Sequence, residues 1–137
     1  MSDISVTAGS VLKYTGATVE NGTAGETITA GQLVYKNASQ SNKFYKAQHD
    51  GTATEAELYG IALNGASSGQ PLQVQTAGDV NPGGTVAVGT IYCVSATAGG
   101  IAPSGDVSTG DYTSIFGVGT TSSKIHLTIY NSGVQGA

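Results

Sequence analysis

One segment of the sequence has the residue types for covalent catalysis: GASSG, residues 65–69, with Ser67 at its centre. The pattern G-x-S-x-G marks the nucleophile elbow of many serine hydrolases, in which a histidine and an acid activate a serine between a strand and a helix. The chain has two histidines, His49 and His126. After GASSG comes QPLQVQT, where Pro71 and the alternation of apolar residues predict a strand instead of a helix. We therefore interpret GASSG as a Gly/Ser-rich turn and expect no enzymatic activity.

Metal and cofactor sites have no better support. Two isolated histidines and the single cysteine, Cys93, lack the spacing of zinc ligands. Asp106 and Asp111, like Glu55 and Glu57, do not have the spacing of a calcium-binding loop. Cys93 lies in the apolar run TIYCVS, which predicts a buried thiol. We expect no catalytic residue, no metal and no cofactor.

Composition and charge exclude further classes of partner. The chain has 137 residues, a net charge of −4, five scattered lysines and no arginine. Nucleic-acid binding requires a clustered basic face, so no direct contact with nucleic acid is expected. No apolar run has the length of a membrane-spanning helix, and the first residues do not resemble a signal peptide. The sequence thus predicts a protein that is made in the cytoplasm, or kept in a particle assembled there, without a membrane partner.

The elements that must position these residues have a period of two. In KIHLTIY, residues 124–130, Ile125, Leu127 and Ile129 share one face of a strand. PLQVQT, residues 71–76, alternates in the same way. Gly, Asn and Pro turn signals separate many short segments of this kind. This pattern predicts an all-β protein, either a sandwich or a small barrel.

The sequence contains an internal repeat. GQLVYK, starting at Gly31, matches GTIYCV, starting at Gly89, and the order of strands and turns is the same in both halves. Further matches pair Leu33 with Ile91, Phe44 with Ile101, Gly60 with Gly117, and Leu72 with Leu127. We interpret residues 26–137 as one duplicated β domain with degenerate repeats at about 26–80 and 84–133, which share one core because each is too small alone.

The first 25 residues lie outside the repeat and predict an extended N-terminal arm with a first strand. The arm carries apolar side chains without a repeat counterpart, and five of them are candidate contacts with a partner: Ile4, Val6, Val11, Leu12 and Tyr14. Such an arm can add a strand to another protein. The alternative is an ordinary additional strand of the same domain.

Three segments together resemble the small capsid decoration, or cement, proteins of tailed bacteriophages. They are GQLVY at residues 31–35, GIAL at residues 60–63 and GQPLQV at residues 69–74. Weaker forms recur in the second half, as GTIY at residues 89–92 and GV at residues 117–118. The second half departs from the pattern at residues 119–121, where GTT replaces the ALN of the first half.

This resemblance implies a β-barrel-like or β-tulip-like domain that binds the outer surface of a mature phage capsid and stabilises the shell. It also implies that the partners are the major capsid protein and two further copies of the chain in a homotrimer, and that the protein is made in a bacterial cytoplasm. The family has no catalytic residues. An alternative function is a tail-fibre or head-fibre type of module that recognises a cell-surface glycan through exposed tyrosines.

Overall fold

The computed structural model describes residues 3–48, 56–104 and 112–135, and these residues form an almost entirely β protein. The ten strands are β1 (Leu12–Lys13), β2 (Thr18–Thr23), β3 (Leu33–Asn37), β4 (Lys43–Lys46), β5 (Gly60–Ala62), β6 (Pro71–Asn81), β7 (Ile91–Val94), β8 (Ile101–Pro103), β9 (Tyr112–Thr121) and β10 (Lys124–Gln135). Two short 3₁₀ turns lie at Ala8–Ser10 and Ala38–Gln40. In the described parts of the chain, no helix has the length and apolar character needed to cross a membrane.

All ladders between named strands are antiparallel, and the sheet order is β4-β3-β5-β6-β10-β9-β7-β8, with β1 and β2 also paired to β6. The sheet curls into a half-barrel, and Ala24 at the end of β2 forms a bridge with Phe44 of β4. An all-β, barrel-like domain is therefore confirmed. The same order is found from both edges of the sheet, β4-β3-β5-β6 from one edge and β8-β7-β9-β10 from the other. We call β3 to β6 the first half and β7 to β10 the second half. β3, β4, β5 and β6 correspond to β7, β8, β9 and β10, in that order.

The strand register relates several residues of the two halves in the way that the predicted repeat does. Leu33 pairs with Ile61 in the first half, and Ile91 pairs with Val118 in the second. Lys36 pairs with Phe44, and Val94 pairs with Ile101. The turn glycines Gly31 and Gly89 also occupy corresponding positions. The Gly31 N–H donates to the Ala62 carbonyl, and the Gly89 N–H donates to the carbonyl of Gly119, the counterpart of Ala62. The repeat boundaries themselves stay a prediction.

The last strand of each half follows a different register from the one that the sequence predicts. Ala62 pairs with Val74, and its counterpart Gly119 pairs with Ile125. Val74 therefore corresponds to Ile125, and the predicted match of Leu72 with Leu127 is wrong. The reason is the hairpin length: a long loop, residues 63–70, joins β5 to β6, whereas two residues join β9 to β10. Both strands alternate apolar and polar residues, so alternation alone cannot fix the register.

β6 belongs to both halves because it bends at Gly78, whose φ is +92°. Before the bend β6 pairs with β2 and β5, and after it Val80 pairs with both Lys13 and Ile125. The buried Gln75 amide spans the bend, since its Nε2 donates to the carbonyls of Ala77 at 3.1 Å and Asp79 at 2.8 Å. A Cβ at Gly78 would lie 2.9 Å from the Ala17 Cα, so the bend requires glycine.

Two apolar clusters hold the sheet together. The small cluster fills the first half and contains Ala24, Ile28, Val34, Phe44, Ala62, Ala66, Leu72 and Val74. The central cluster contains Leu33, Tyr35, Ala47, Leu58, Ile61, Val80, Val86, Tyr92, Val94, Ile101, Phe116, Ile125 and Leu127. Because side chains alternate along β3, Val34 faces the small cluster, whereas Leu33 and Tyr35 face the central one. The outer face of the first half thus packs against the inner face of the second.

The N-terminal segment is extended and lies on the body of the protein. The Ile4 N–H donates to the Ile101 carbonyl at 2.9 Å, and the Thr7 N–H donates to the Gly83 carbonyl at 2.8 Å. Ile4 and Val6 pack against the central cluster. Residues 3–7 therefore lie against their own domain, although they are not part of a named strand, and the pairing of the arm with another protein stays a prediction.

Candidate interaction site

The serine of GASSG lies in a loop, and among the described residues no histidine or acid is hydrogen-bonded to it. Ser67 is exposed between β5 and β6, its N–H donates to Gln70 Oε1 at 2.8 Å, and its carbonyl accepts from the Gln70 N–H. The segment that follows is the strand β6, not a helix. This geometry closes a turn and has none of the strand-to-helix features of a nucleophile elbow. His49, Asp106 and Asp111 lie outside the described residues.

His126 forms a pair with an acid, at the junction of the two halves. It lies opposite Asp79 across the β6–β10 ladder, and its Nδ1 is 2.8 Å from Asp79 Oδ1. Lys124 Nζ lies 3.9 Å from Asp79 Oδ2 and 4.6 Å from the centre of the Tyr14 ring. No nucleophile is recorded beside this pair in the part of the chain that the structure describes. The pair joins strands from the two halves, and an exposed polar pair of this kind contributes little stability.

A second polar group, the polar trio, consists of Glu20, Lys36 and Tyr59 on β2, β3 and the segment before β5. Glu20 accepts from Lys36 Nζ at 2.6 Å and from the Tyr59 hydroxyl at 2.5 Å. Lys36 Nζ also lies 4.8 Å from the centre of the Tyr59 ring. The Lys36 ammonium, and then the Tyr59 hydroxyl, hold the pKa of Glu20 below its ordinary value. The same hydrogen bonds raise the pKa values of Lys36 and Tyr59.

These shifts keep all three groups in their paired forms near neutral pH. A general base needs a pKa near the working pH, and a nucleophile needs a lowered one. The shifts in the polar trio move each pKa away from neutrality. The trio is therefore suited to holding three strands together and poorly suited to proton transfer.

The thiol and the acids offer no site either. Cys93 is buried, and burial raises its pKa to about 11, which leaves the thiol protonated and unreactive. Among the described residues, no group of three or more histidine, cysteine, aspartate or glutamate side chains lies close enough to hold a metal ion.

The five predicted contact residues of the N-terminal arm are not equivalent in the structure. Val11 is buried, and Ile4 and Val6 are half-buried against the body. Tyr14 is half-buried beneath Lys124, whereas Leu12 is 61% exposed. Leu12 is therefore the member of this set that exposes a large apolar surface to solvent.

Most of the strongly exposed large apolar side chains among the described residues lie elsewhere, in the second half. In the described residues, four large apolar side chains are strongly exposed, and three of them belong to this half: Val88 at 68%, Ile91 at 42% and Tyr130 at 61%. Ile91 pairs with Val118 across β7 and β9, and Tyr130 pairs with Ile115 across β9 and β10. Directly paired residues share a face. We call Ile91, Ile115, Val118 and Tyr130, together with Val88 in the turn before β7, the outer apolar face; His126, which pairs with Val118, borders it.

Sequence reasoning missed this face because its residues read as ordinary strand residues. The internal repeat contained the signal. The counterparts of Ile91 and Val118 are Leu33 and Ile61, which are fully buried under the second half. Both pairs of positions hold apolar residues, but of the two pairs only Leu33 and Ile61 are fully buried against the other half.

The tyrosines do not form an exposed platform. Tyr35 and Tyr92 are buried, Tyr130 is exposed, and the other four described tyrosines are half-buried. Two of the half-buried rings contact other aromatic rings: Tyr45 lies 6.0 Å from Tyr35, and Tyr59 lies 5.5 Å from Phe44, between ring centres. This distribution does not favour a glycan-binding groove. Neither models of known protein families nor well-characterised proteins match this chain in sequence.

Proposed function

We propose that the protein is a decoration protein that binds the outer surface of an assembled phage capsid through its outer apolar face. The observation that carries this proposal is the clustering of exposed apolar side chains on one side of the second half. Several apolar side chains exposed on one face of a sheet are typical of interaction sites, because exposing them to water is unfavourable.

The rest of the molecule supports a binding role and not a catalytic one. Its polar groups are arranged in pairs that connect strands, and their pKa shifts stabilise the paired forms. A protein that stabilises a shell works by mass action, because it binds the assembled lattice and adds its binding free energy to it. Such a protein needs a complementary surface and no reactive group.

The resemblance to cement proteins supplies the class of partner, the major capsid protein, and the expected homotrimer. Leu12 and Tyr14 add the accessible part of the N-terminal arm to the proposed contact. An acidic chain without arginine suits the outside of the shell, away from packaged DNA.

The experiment is a binding measurement with expanded, empty shells of the phage whose genome encodes the protein. Ile91→Lys and Val88→Lys place charges on the outer apolar face, and Ser67→Lys is the matched control on an exposed loop. Burying an unpaired charge removes the binding energy of a central contact, so the first two variants are expected to lose affinity by at least about tenfold. Ser67→Lys is expected to bind like the unmodified protein.

Two results would contradict the proposal. If the unmodified protein does not bind the shells, the function is wrong. If it binds and Ile91→Lys binds equally well, the contact lies elsewhere. Sedimentation of the isolated protein and particle density at the three-fold positions test the homotrimer, which fails if both methods give monomers.

A further inference from the structure

The N-terminal segment, residues 3–7, occupies a position in the second half that an internal part of the chain occupies in the first. In the first half, the Gly25 N–H donates to the Phe44 carbonyl at 2.8 Å. In the second half, the Ile4 N–H donates at 2.9 Å to the carbonyl of Ile101, the counterpart of Phe44. The same edge of the half-barrel is therefore covered by residues 24–25 in one half and by residues 3–7 in the other.

The surface beneath this segment, which we call the seat, fits the backbone of an extended strand. Three glycines line it, and a Cβ on any of them would strike the segment: Gly83 at 2.6 Å from the Thr7 carbonyl oxygen, Gly84 at 2.6 Å from Ile4 Cγ2 and Gly100 at 2.5 Å from Asp3 Oδ2. Open grooves of about 330 Å³ and 450 Å³ flank the segment on its two sides. The seat therefore fits an extended segment. The two grooves beside it leave space for such a segment to enter or leave.

In the described residues, the segment has fewer backbone hydrogen bonds to the body than its counterpart has. Ala24 and Gly25 are held by backbone hydrogen bonds with three residues, Gln70, Gly69 and Phe44. Residues 3–7 have the two backbone bonds to Ile101 and Gly83, together with the Ser95 hydroxyl, which donates to Asp3 Oδ2 at 2.6 Å. The connection to β1 passes through Gly9 in a 3₁₀ turn, where an added Cβ would meet nothing within 4 Å.

We propose that residues 3–7 exchange between copies of this chain, so that the seat of one copy binds the N-terminal segment of another. The occupant that the seat fits is Asp3-Ile4-Ser5-Val6-Thr7, and a second copy carries this same sequence. Exchange of identical elements keeps every contact of the seat and is therefore a low-cost route to oligomers. The proposal stands on the geometry within one chain and does not depend on shell binding.

The experiment uses two full-length variants that each carry one cysteine in a Cys93→Ala background: Asp3→Cys and Ser95→Cys. These side chains meet in the seat, so a disulfide between them reports that a segment is bound there. Neither variant can form this disulfide within its own chain. After the two are mixed and mildly oxidised, mass spectrometry is expected to detect the mixed disulfide dimer about tenfold above that of Asp3→Cys with the loop control Ser67→Cys, because the seat brings the side chains of residues 3 and 95 into contact, whereas residue 67 lies on an exposed loop.

A chain with both Asp3→Cys and Ser95→Cys provides the second measurement. At high dilution it must form the internal disulfide, which verifies that the variants fold and that the seat has the described geometry. Exchange is overturned if this internal disulfide forms and the mixed dimer does not exceed the control. It is also overturned if the internal disulfide fails to form, or if the unmodified protein sediments as a monomer at all concentrations.

Discussion

The two halves carry three corresponding positions with opposite chemistry. In the first half they hold the polar trio, Glu20, Lys36 and Tyr59, and its Lys36 and Glu20 side chains are about one-third exposed. In the second half the register places Val80, Val94 and Phe116 at the same positions, and all three are fully buried. The backbone is the same, so the difference comes from what covers each half.

The polar and apolar residues at these positions differ because the inner faces of the two halves have different packing neighbours. The inner face of the second half holds the outer face of the first, and apolar residues are favoured there because they leave water. Among the described residues, no comparable part of the chain packs on the inner face of the first half beside the polar trio, whose side chains are partly exposed. In repeat proteins, terminal units need a polar outer surface of this kind. The outer apolar face at the other end of the series lacks such a cap.

The reciprocal exchange of Val94 and Lys36 is the strongest way to break this comparison. Val94→Lys buries an ammonium in the central cluster without a partner, and we expect it to cost roughly 4 kcal/mol or more of unfolding free energy. Lys36→Val removes a part-exposed ion pair and is expected to cost at most about 1 kcal/mol. Urea unfolding measures both values. Equal losses of unfolding free energy in the two variants would show that positions 94 and 36 are buried to the same extent, which would contradict the comparison.

Gly60 and Gly117 occupy corresponding positions in the two halves. At these positions we expect the same substitution to cost the two halves a similar amount of unfolding free energy. A Cβ at Gly60 would collide with the carbonyl oxygen of Gln75, and a Cβ at Gly117 would collide with that of His126. A backbone carbonyl in a ladder cannot move aside cheaply, so Gly60→Ala and Gly117→Ala are each expected to cost about 1–3 kcal/mol. Thermal or urea unfolding of the two variants gives the test. A large loss at one site alone would contradict the assigned correspondence.

The smallest expected effect concerns pH and only the first half. The pKa of Glu20 is lowered by folding, so its contribution is present above the ordinary glutamate pKa and is lost as the pH falls through the folded value. Between about pH 7 and pH 3.5, Glu20→Gln is expected to lose less stability than the unmodified protein, by at most about 1 kcal/mol because the pair is part-exposed. Urea unfolding at both pH values is the measurement, with Glu57→Gln, on an exposed side chain, as control. Identical pH profiles for Glu20→Gln and the unmodified protein would contradict a stabilising role for the pair.

Local pattern was sufficient to predict the fold class and much of the repeat. Alternation predicted the β structure, and the turn glycines Gly31 and Gly89 lie where the repeat places them, with φ of +91° and +81°. The register of β10 was not predictable, because a strand of period two fits equally well after a shift of two or four residues. The seat of the N-terminal segment was also missed, since it depends on glycines near residues 83 and 100 that are distant in sequence.

The outer apolar face could not be found from the sequence alone for a related reason. Ile91 and Val118 have the same residue types as buried strand positions, and burial depends on which surface another part of the chain covers. The register match to Leu33 and Ile61 distinguishes them only when the packing of the two halves is known.

The bend of β6 at Gly78 has a consequence for how the chain folds. β6 pairs with residues 12–23 near one end of the chain and with residues 125–127 near the other. The second half therefore cannot complete its sheet until the C-terminal strand has left the ribosome, and each such pairing closes a long loop at an entropic cost. Folding dominated by these distant pairings is slow, and both halves are expected to unfold in a single cooperative step.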